Sequence, residues 1–199
     1  LTSFTISFIG LQALATLHHA TPRTKKDREM TPILTAVQLT ISAGRWTARA
    51  TDRYVAAELS GAVLGQEGED VTLCLESSSL AAAARSADRD APGIFTTTED
   101  GAVTIDAGLR RELKTVPGNF PPIDRLFPEP CTGQDTNSLA LRPDLLARLG
   151  KVYGPSTIAL RPAERAAKPL HLEPHGERSP ILVTRNDAGD FRALMLPAW

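Results

Sequence analysis

A strand pattern that leads into a short helical pattern and then into further strands recurs three times along this chain. The repeat is weak by residue identity and consistent by pattern. It predicts an α+β protein assembled from repeated strand-helix-strand units.

In the first unit, residues 4–8 read as a strand, and Leu11, Leu14, Ala15, Leu17 and His18 follow at helical spacing. Residues 23–28 read as a basic loop and residues 33–41 as a strand. A turn at residues 42–45 reverses the chain into a strand over residues 46–59, with Trp46, Ala48, Ala50, Asp52, Tyr54 and Ala56 on one face. Residues 61–70, rich in glycine and acid, read as a linker. The second unit has a strand at residues 71–75 and a helix at residues 77–86, with its serines as candidate N-caps and its alanines as strong helix formers. Strands at residues 95–98 and 103–105 flank a Glu99-Asp100-Gly101 turn. The third unit has a strand at residues 139–141 and a helix from Pro143 that stops at Gly154-Pro155. Strands follow near residues 157–160, 169–172, 181–184 and 191–196.

Composition narrows the functional classes. With 42% hydrophobic residues the chain can bury a real core, and its net charge of −1 argues against wrapping nucleic acid with the whole surface. A local basic face is compatible with that balance. No run approaches the ~20 apolar residues of a membrane span, and the first residues lack a signal-peptide pattern. The expectation is a cytoplasmic protein with no membrane partner. Cys74 and Cys131 are too few and too far apart for a disulfide framework or a zinc site and read as two reduced thiols.

Reactive constellations are sparse. The sequence has no Gly-x-Ser-x-Gly, no Walker loop, no Gly-x-Gly-x-x-Gly and no Cys-x-x-Cys. The best metal candidate is His171, Glu173 and His175, which an extended strand would place on one side. Polar residues alternating with Leu172 are also what a solvent-facing edge strand shows, and that reading is favoured. His18-His19 reads as polar helix surface, and Asp88-Arg89-Asp90 as a solvated turn. No enzyme, no metal and no cofactor is expected.

Three segments carry a more specific signal: Ala50-Thr51-Asp52-Arg53-Tyr54 in the strand pattern, Asn119-Phe120-Pro121-Pro122-Ile123-Asp124-Arg125-Leu126-Phe127-Pro128, and the end Ala193-Leu194-Met195-Leu196-Pro197-Ala198-Trp199. In this order and at this spacing they resemble the bacterial sliding clamp, the β subunit of DNA polymerase III. The resemblance implies the DNA-clamp fold, an α+β architecture with helices on one face of antiparallel sheets. It further implies that residues 1–128 form a clamp-like domain of two half-units like the clamp middle domain. Residues 129–137 would be a linker, and 138–199 a half-domain like the end of the clamp C-terminal domain.

The resemblance also implies a non-catalytic processivity factor or docking platform in DNA replication or repair. DNA polymerases or repair proteins would dock through short apolar motifs in a cleft. Carried over by residue, the cleft wall comprises Thr51, Arg53, Tyr54, Val55 and Ala56, then Pro121, Arg125 and Leu126, then Leu194, Met195, Leu196, Pro197 and Ala198. A Met and small apolar residues make an adaptable pocket, and a rim arginine suits a peptide carboxylate or carbonyl. Departures stand beside the match: Val55 and Ala56 occupy positions where clamps often have a basic residue and a leucine, and the chain ends on Trp199. Nonspecific phosphate contacts with double-stranded DNA would come from Arg23, Lys25, Lys26, Arg28, Arg85, Arg89, Arg148 and Lys151.

An alternative reading keeps the cleft and drops the ring. In it the chain is a stand-alone regulatory or decoy module that binds clamp partners without encircling DNA. Homo-oligomer formation separates the two readings.

Overall fold

The structure, a computed structural model, describes residues 1–127, 143–160, 164, 170–174, 180–185 and 190–196. Its first unit runs through β1 (Thr2–Ile6), α1 (Phe8–Thr16), a 3-10 turn (Leu17–Ala20), α2 (Lys25–Met30) and a second 3-10 turn (Pro32–Thr35). It continues with β2 (Ala36–Ser42), β3 (Arg45–Thr51), β4 (Val55–Ala62) and β5 (Gly65–Glu67). The second unit comprises β6 (Val71–Glu76), α3 (Ser77–Arg85), β7 (Gly93–Thr97), β8 (Val103–Asp106), β9 (Arg110–Leu113) and a closing 3-10 turn (Ile123–Leu126). The third contributes α4 (Pro143–Leu149), α5 (Pro155–Ile158), β10 (His171–Pro174), β11 (Ile181–Thr184) and β12 (Phe191–Met195).

The first two units exchange their opening strands. β1 pairs with β7 of the second unit, and β6 pairs with β2 of the first. The exchange is fixed by side chains that need cross-strand partners: Phe4 lies opposite Phe95 with the rings stacked at 4.9 Å, and Leu39 lies opposite Leu73. Each unit's tail then caps the other flank of its own opening strand. β5 pairs with β1, and Thr115 bridges to Leu75 on β6. The two units are thus equivalent in topology as well as in pattern. Helices α1 and α3 pack against each other as one layer, and Leu11, Leu14, Leu80, Ala83 and Ala84 are buried with the sheet side chains in a single core.

The third unit docks on its own chain. β12 pairs antiparallel with β4, with Leu194 opposite Ala56 and Met195 opposite Val55. Among the described residues this extends one sheet to the order β10-β11-β12-β4-β3-β2-β6, while the other runs β5-β1-β7-β8-β9. Alternation along β12 sends Phe191, Ala193 and Met195 into the main core and Leu194 to the opposite face, where it meets Ala56, Leu182 and Ile123.

Several local expectations are corrected. The basic loop contains helix α2, because Thr24 accepts the backbone N–H of Asp27 and Lys25 pairs with Glu29 one turn on. The serines of α3 are not its N-cap. Glu76 occupies that position without a side-chain bond, and Ser77 is buried against His18 and Thr21 instead. The linker between the first two units contains β5, and β9 was missed because its Arg-Arg-Glu-Leu sequence has no apolar alternation. The strand expected near residues 157–160 is instead the short helix α5, opened by Pro155. Cys74 is half-buried, and that burial pushes its thiol up. Cys131, the strand at residues 139–141 and His175 lie outside the described residues.

Candidate functional site

The single strand expected over residues 46–59 is broken at Asp52-Arg53-Tyr54, and this break builds the candidate site. Thr51 donates its hydroxyl to the carbonyl of Val55 at 2.7 Å and accepts the N–H of Arg53. Asp52 Oδ1 accepts the backbone N–H groups of Tyr54 at 3.0 Å and Val55 at 2.9 Å. Arg53 sits at φ +81°, a left-handed conformation uncommon for a non-glycine residue. The tetrad is therefore a tight turn between β3 and β4, with its small polar side chains closing the turn's backbone bonds. It swings Arg53 and Tyr54 out to the surface, where Tyr54 is 52% exposed.

The seam between β4 and β12 passes directly below. On the sheet face opposite the helices, Ala56, Leu182 and Leu194 are buried under Ile123, with Phe120 and Phe127 packed alongside. The closing segment of the second unit thus crosses the outer face of the seam. Beside it Glu58 receives Arg49 from β3 and Arg192 from β12, each at 2.7 Å, and Arg192 lies 4.2 Å over the Phe127 ring.

These pieces enclose a pocket of about 170 Å³ lined by Leu34, Thr51, Arg53, Tyr54, Val55, Ala56, Pro121, Ile123, Leu126, Leu194 and Leu196. Of these lining residues only Arg53 is charged, and its guanidinium donates to the Thr31 hydroxyl. Leu126 and Leu196 stay partly open to solvent, and the Leu196 N–H is held by the Tyr54 carbonyl at 3.1 Å.

Two of the expected cleft residues do not line this pocket. Met195 is fully buried in the main core, because β12 points it toward the helices. Arg125 is exposed outside the lining set. Pro197 and Ala198 lie outside the described residues. Leu34 and Ile123 were not foreseen. Ile123 lies inside the quoted Phe-Pro segment and could have been included, whereas Leu34 comes from a 3-10 turn with no local signal of its destination.

Among the residues expected to touch DNA, Arg23, Lys25, Lys26, Arg28, Arg85, Arg89 and Lys151 are exposed. Arg148 is corrected: it is 7% exposed, pairs with Asp52 at 2.5 Å and donates to the carbonyls of His19 and Thr21. Its cation is consumed inside the protein. No group of three His, Cys, Asp or Glu among the described residues could hold a metal ion, and no described helix is long and apolar enough to cross a membrane.

This arrangement of units, with α1 and α3 layered against two antiparallel sheets, is the fold of solved bacterial sliding clamps. The solved sliding clamp of Bacillus subtilis superposes with a TM-score of 0.71 over 99% of this chain and 64% of its own, at 14% identity. The DNA polymerase III beta chain of Streptococcus pneumoniae gives 0.71 over 100% of this chain and 65% of its own, also at 14% identity. The Pseudomonas aeruginosa sliding clamp bound to griselimycin gives 0.63 over 98% and 64%, at 13% identity. At these identities the likeness establishes the fold, and this chain spans about 65% of the length of the clamps it matches. No protein-family model matches the sequence, and no curated protein does.

Proposed function

We propose that this chain is a non-catalytic, clamp-like docking protein of DNA replication or repair that captures short apolar peptide motifs in the cleft over the β4–β12 seam. The observation that carries this reading is the convergence of three distant segments, around Thr51–Ala56, Pro121–Leu126 and Leu194–Leu196, on one apolar pocket with a single arginine at its rim. A leucine or phenylalanine side chain seated there would gain about 1.5–3 kcal/mol from burial, enough for two anchors to give a specific but exchangeable complex. Arg53 suits a carboxylate or carbonyl beside those anchors. The exposed cations of the helix layer suit nonspecific contact with a DNA backbone.

The test is titration of a fluorescent Gln-Leu-x-Leu-Phe-type peptide into the full chain, with an alanine-substituted peptide as control and light scattering on the same sample. Selective, saturable binding that Leu194→Asp removes is expected. Equal response to both peptides, or none, overturns the cleft assignment. The measured mass then separates a platform built from several copies from a monomeric module.

A further inference from the structure

A second cavity lies on the other side of the molecule, in the helix layer. It measures about 360 Å³ and is bounded by α1, α3 and the connection between α4 and α5. Its walls are tied together by hydrogen bonds that cross between units. Gln12 on α1 donates to the Ala84 carbonyl of α3 at 2.7 Å, and Thr16 accepts the backbone N–H of Tyr153 at 3.0 Å. Into this frame project His18, His19, Arg85 and Lys151, and among the described residues no acidic side chain lines the cavity.

Neither cation of this cavity is neutralised by a carboxylate among the described residues. Arg49, Arg148 and Arg192 each reach a carboxylate, whereas no described carboxylate lies within ion-pair reach of Arg85 or Lys151. The histidines are also under-used. His18 Nδ1 shares a hydrogen bond with the Ser77 hydroxyl at 3.1 Å, and neither its Nε2 nor the ring of His19 has a hydrogen-bond partner among the described residues. Both imidazoles are held below their ordinary pKa, first by burial and then by the cations around them. For His18 these are Arg28 of α2, Arg85 of α3 and Arg23. For His19 they are His18, Lys151, Arg23 and Arg148 of α4. The acidic groups nearby do not offset this: Asp52 is occupied by Arg148, and Glu76 faces the smaller neighbouring cavity beside His18.

We propose that this cavity seats a phosphoryl group between Arg85 and Lys151, and that His18 and His19 take up protons when it binds. The phosphate supplies the negative charge that the cavity's own walls lack. It turns the surrounding field from one that repels a proton on the imidazoles into one that accepts it, and Gln12 and the protonated rings then act as donors to its oxygens. Binding coupled to proton uptake tightens as pH falls. Each unit by which the bound phosphate raises an imidazole's midpoint strengthens binding about tenfold at low pH. The phosphoryl oxygens can belong to a nucleic-acid backbone or to a free phosphate. The DNA source rests on the clamp-like reading proposed above, while the free-phosphate source does not.

The experiment is an NMR pH titration of the histidine C–H resonances in the full chain at constant ionic strength. It is run alone, with inorganic phosphate, and with a short DNA duplex, and resonances are assigned through His18→Gln and His19→Gln. The expected result is an upward shift of the His18 and His19 midpoints by about one unit, equivalent to about tenfold in affinity for each, that is lost in the exposed variants Arg85→Ala and Lys151→Ala. A shift with duplex alone assigns the cavity to a nucleic-acid backbone, and a shift with inorganic phosphate assigns it to phosphate as such. No shift with either probe, or a shift that survives both alanine substitutions, overturns the proposal. Peptide binding in the cleft is read separately, so the two assignments fail independently.

Discussion

Asp52 and Arg148 form a buried ion pair, 2.5 Å apart, that joins the turn under the cleft to the third unit's helix. The carboxylate's other oxygen holds the N–H groups of Tyr54 and Val55, and the guanidinium's remaining donors hold the carbonyls of His19 and Thr21. Both charges are therefore compensated on every side, which is the condition under which a buried pair is tolerated. The pair links the two proposed sites physically, since Tyr54 and Val55 line one and His19 lines the other.

Removing one partner should strand the other charge in the interior. Asp52→Asn or Arg148→Met is expected to lower unfolding free energy by about 3–5 kcal/mol. The double variant should recover part of that loss, because it leaves no lone charge. Urea denaturation of the four proteins in a double-mutant cycle measures it.

Leu126 lines the cleft while remaining 58% exposed, so it adds little to the core. Leu126→Ala should leave stability within about 0.5 kcal/mol of the parent. It should weaken the apolar peptide by about 1–2 kcal/mol, since lost anchor burial is paid in affinity. Fluorescence anisotropy against a denaturation midpoint separates the two effects.

Gly61 on β4 lies against the Trp46 indole, and a Cβ built there would fall 2.7 Å from ring carbons. Trp46 is 1% exposed and packed in the main core. Gly61→Ala should therefore destabilise by about 1–3 kcal/mol through overpacking, whereas Gly65→Ala, which meets open space, should not. Paired urea melts decide between them.

The lowered midpoints of His18 and His19 make stability depend on pH. Burial and nearby cations disfavour the charged rings in the folded state, so the unfolded chain binds more protons at pH values between the folded midpoints and the ordinary 6.5. Stability is at its full value above about pH 6.5 and falls as pH drops through that window. The decrease should shrink in His19→Gln, as followed by denaturation at pH 7.5, 6.5 and 5.5, and it should also shrink with phosphate if the cavity binds it.

Much of the pocket's lining was legible because its pieces are local. Thr51-Asp52-Arg53-Tyr54 and the Phe120–Phe127 stretch are contiguous segments whose character survives in one dimension. The misreadings came where a local pattern meets a longer-range demand. Asp52 fits the strand alternation that runs from Trp46, yet its carboxylate closes a turn and pairs with a helix far along the chain. Arg148 has the composition of a DNA contact and is spent on that carboxylate. Met195 sits between two cleft residues and turns away from them, since adjacent strand positions face opposite sides of a sheet. Ser77 stands where a cap is expected and is drawn into the core by His18.

The sequence by itself determined the opening strands and helices of the first two units, helix α4, and the apolar segments that line the pocket, because these follow from periodicity and turn chemistry within short windows. Only the tertiary structure decided that β1 and β6 change places, that β12 closes on β4, and that Arg148 is buried against Asp52. Those outcomes depend on which edges and charges meet in space, and no local pattern of residues encodes that meeting.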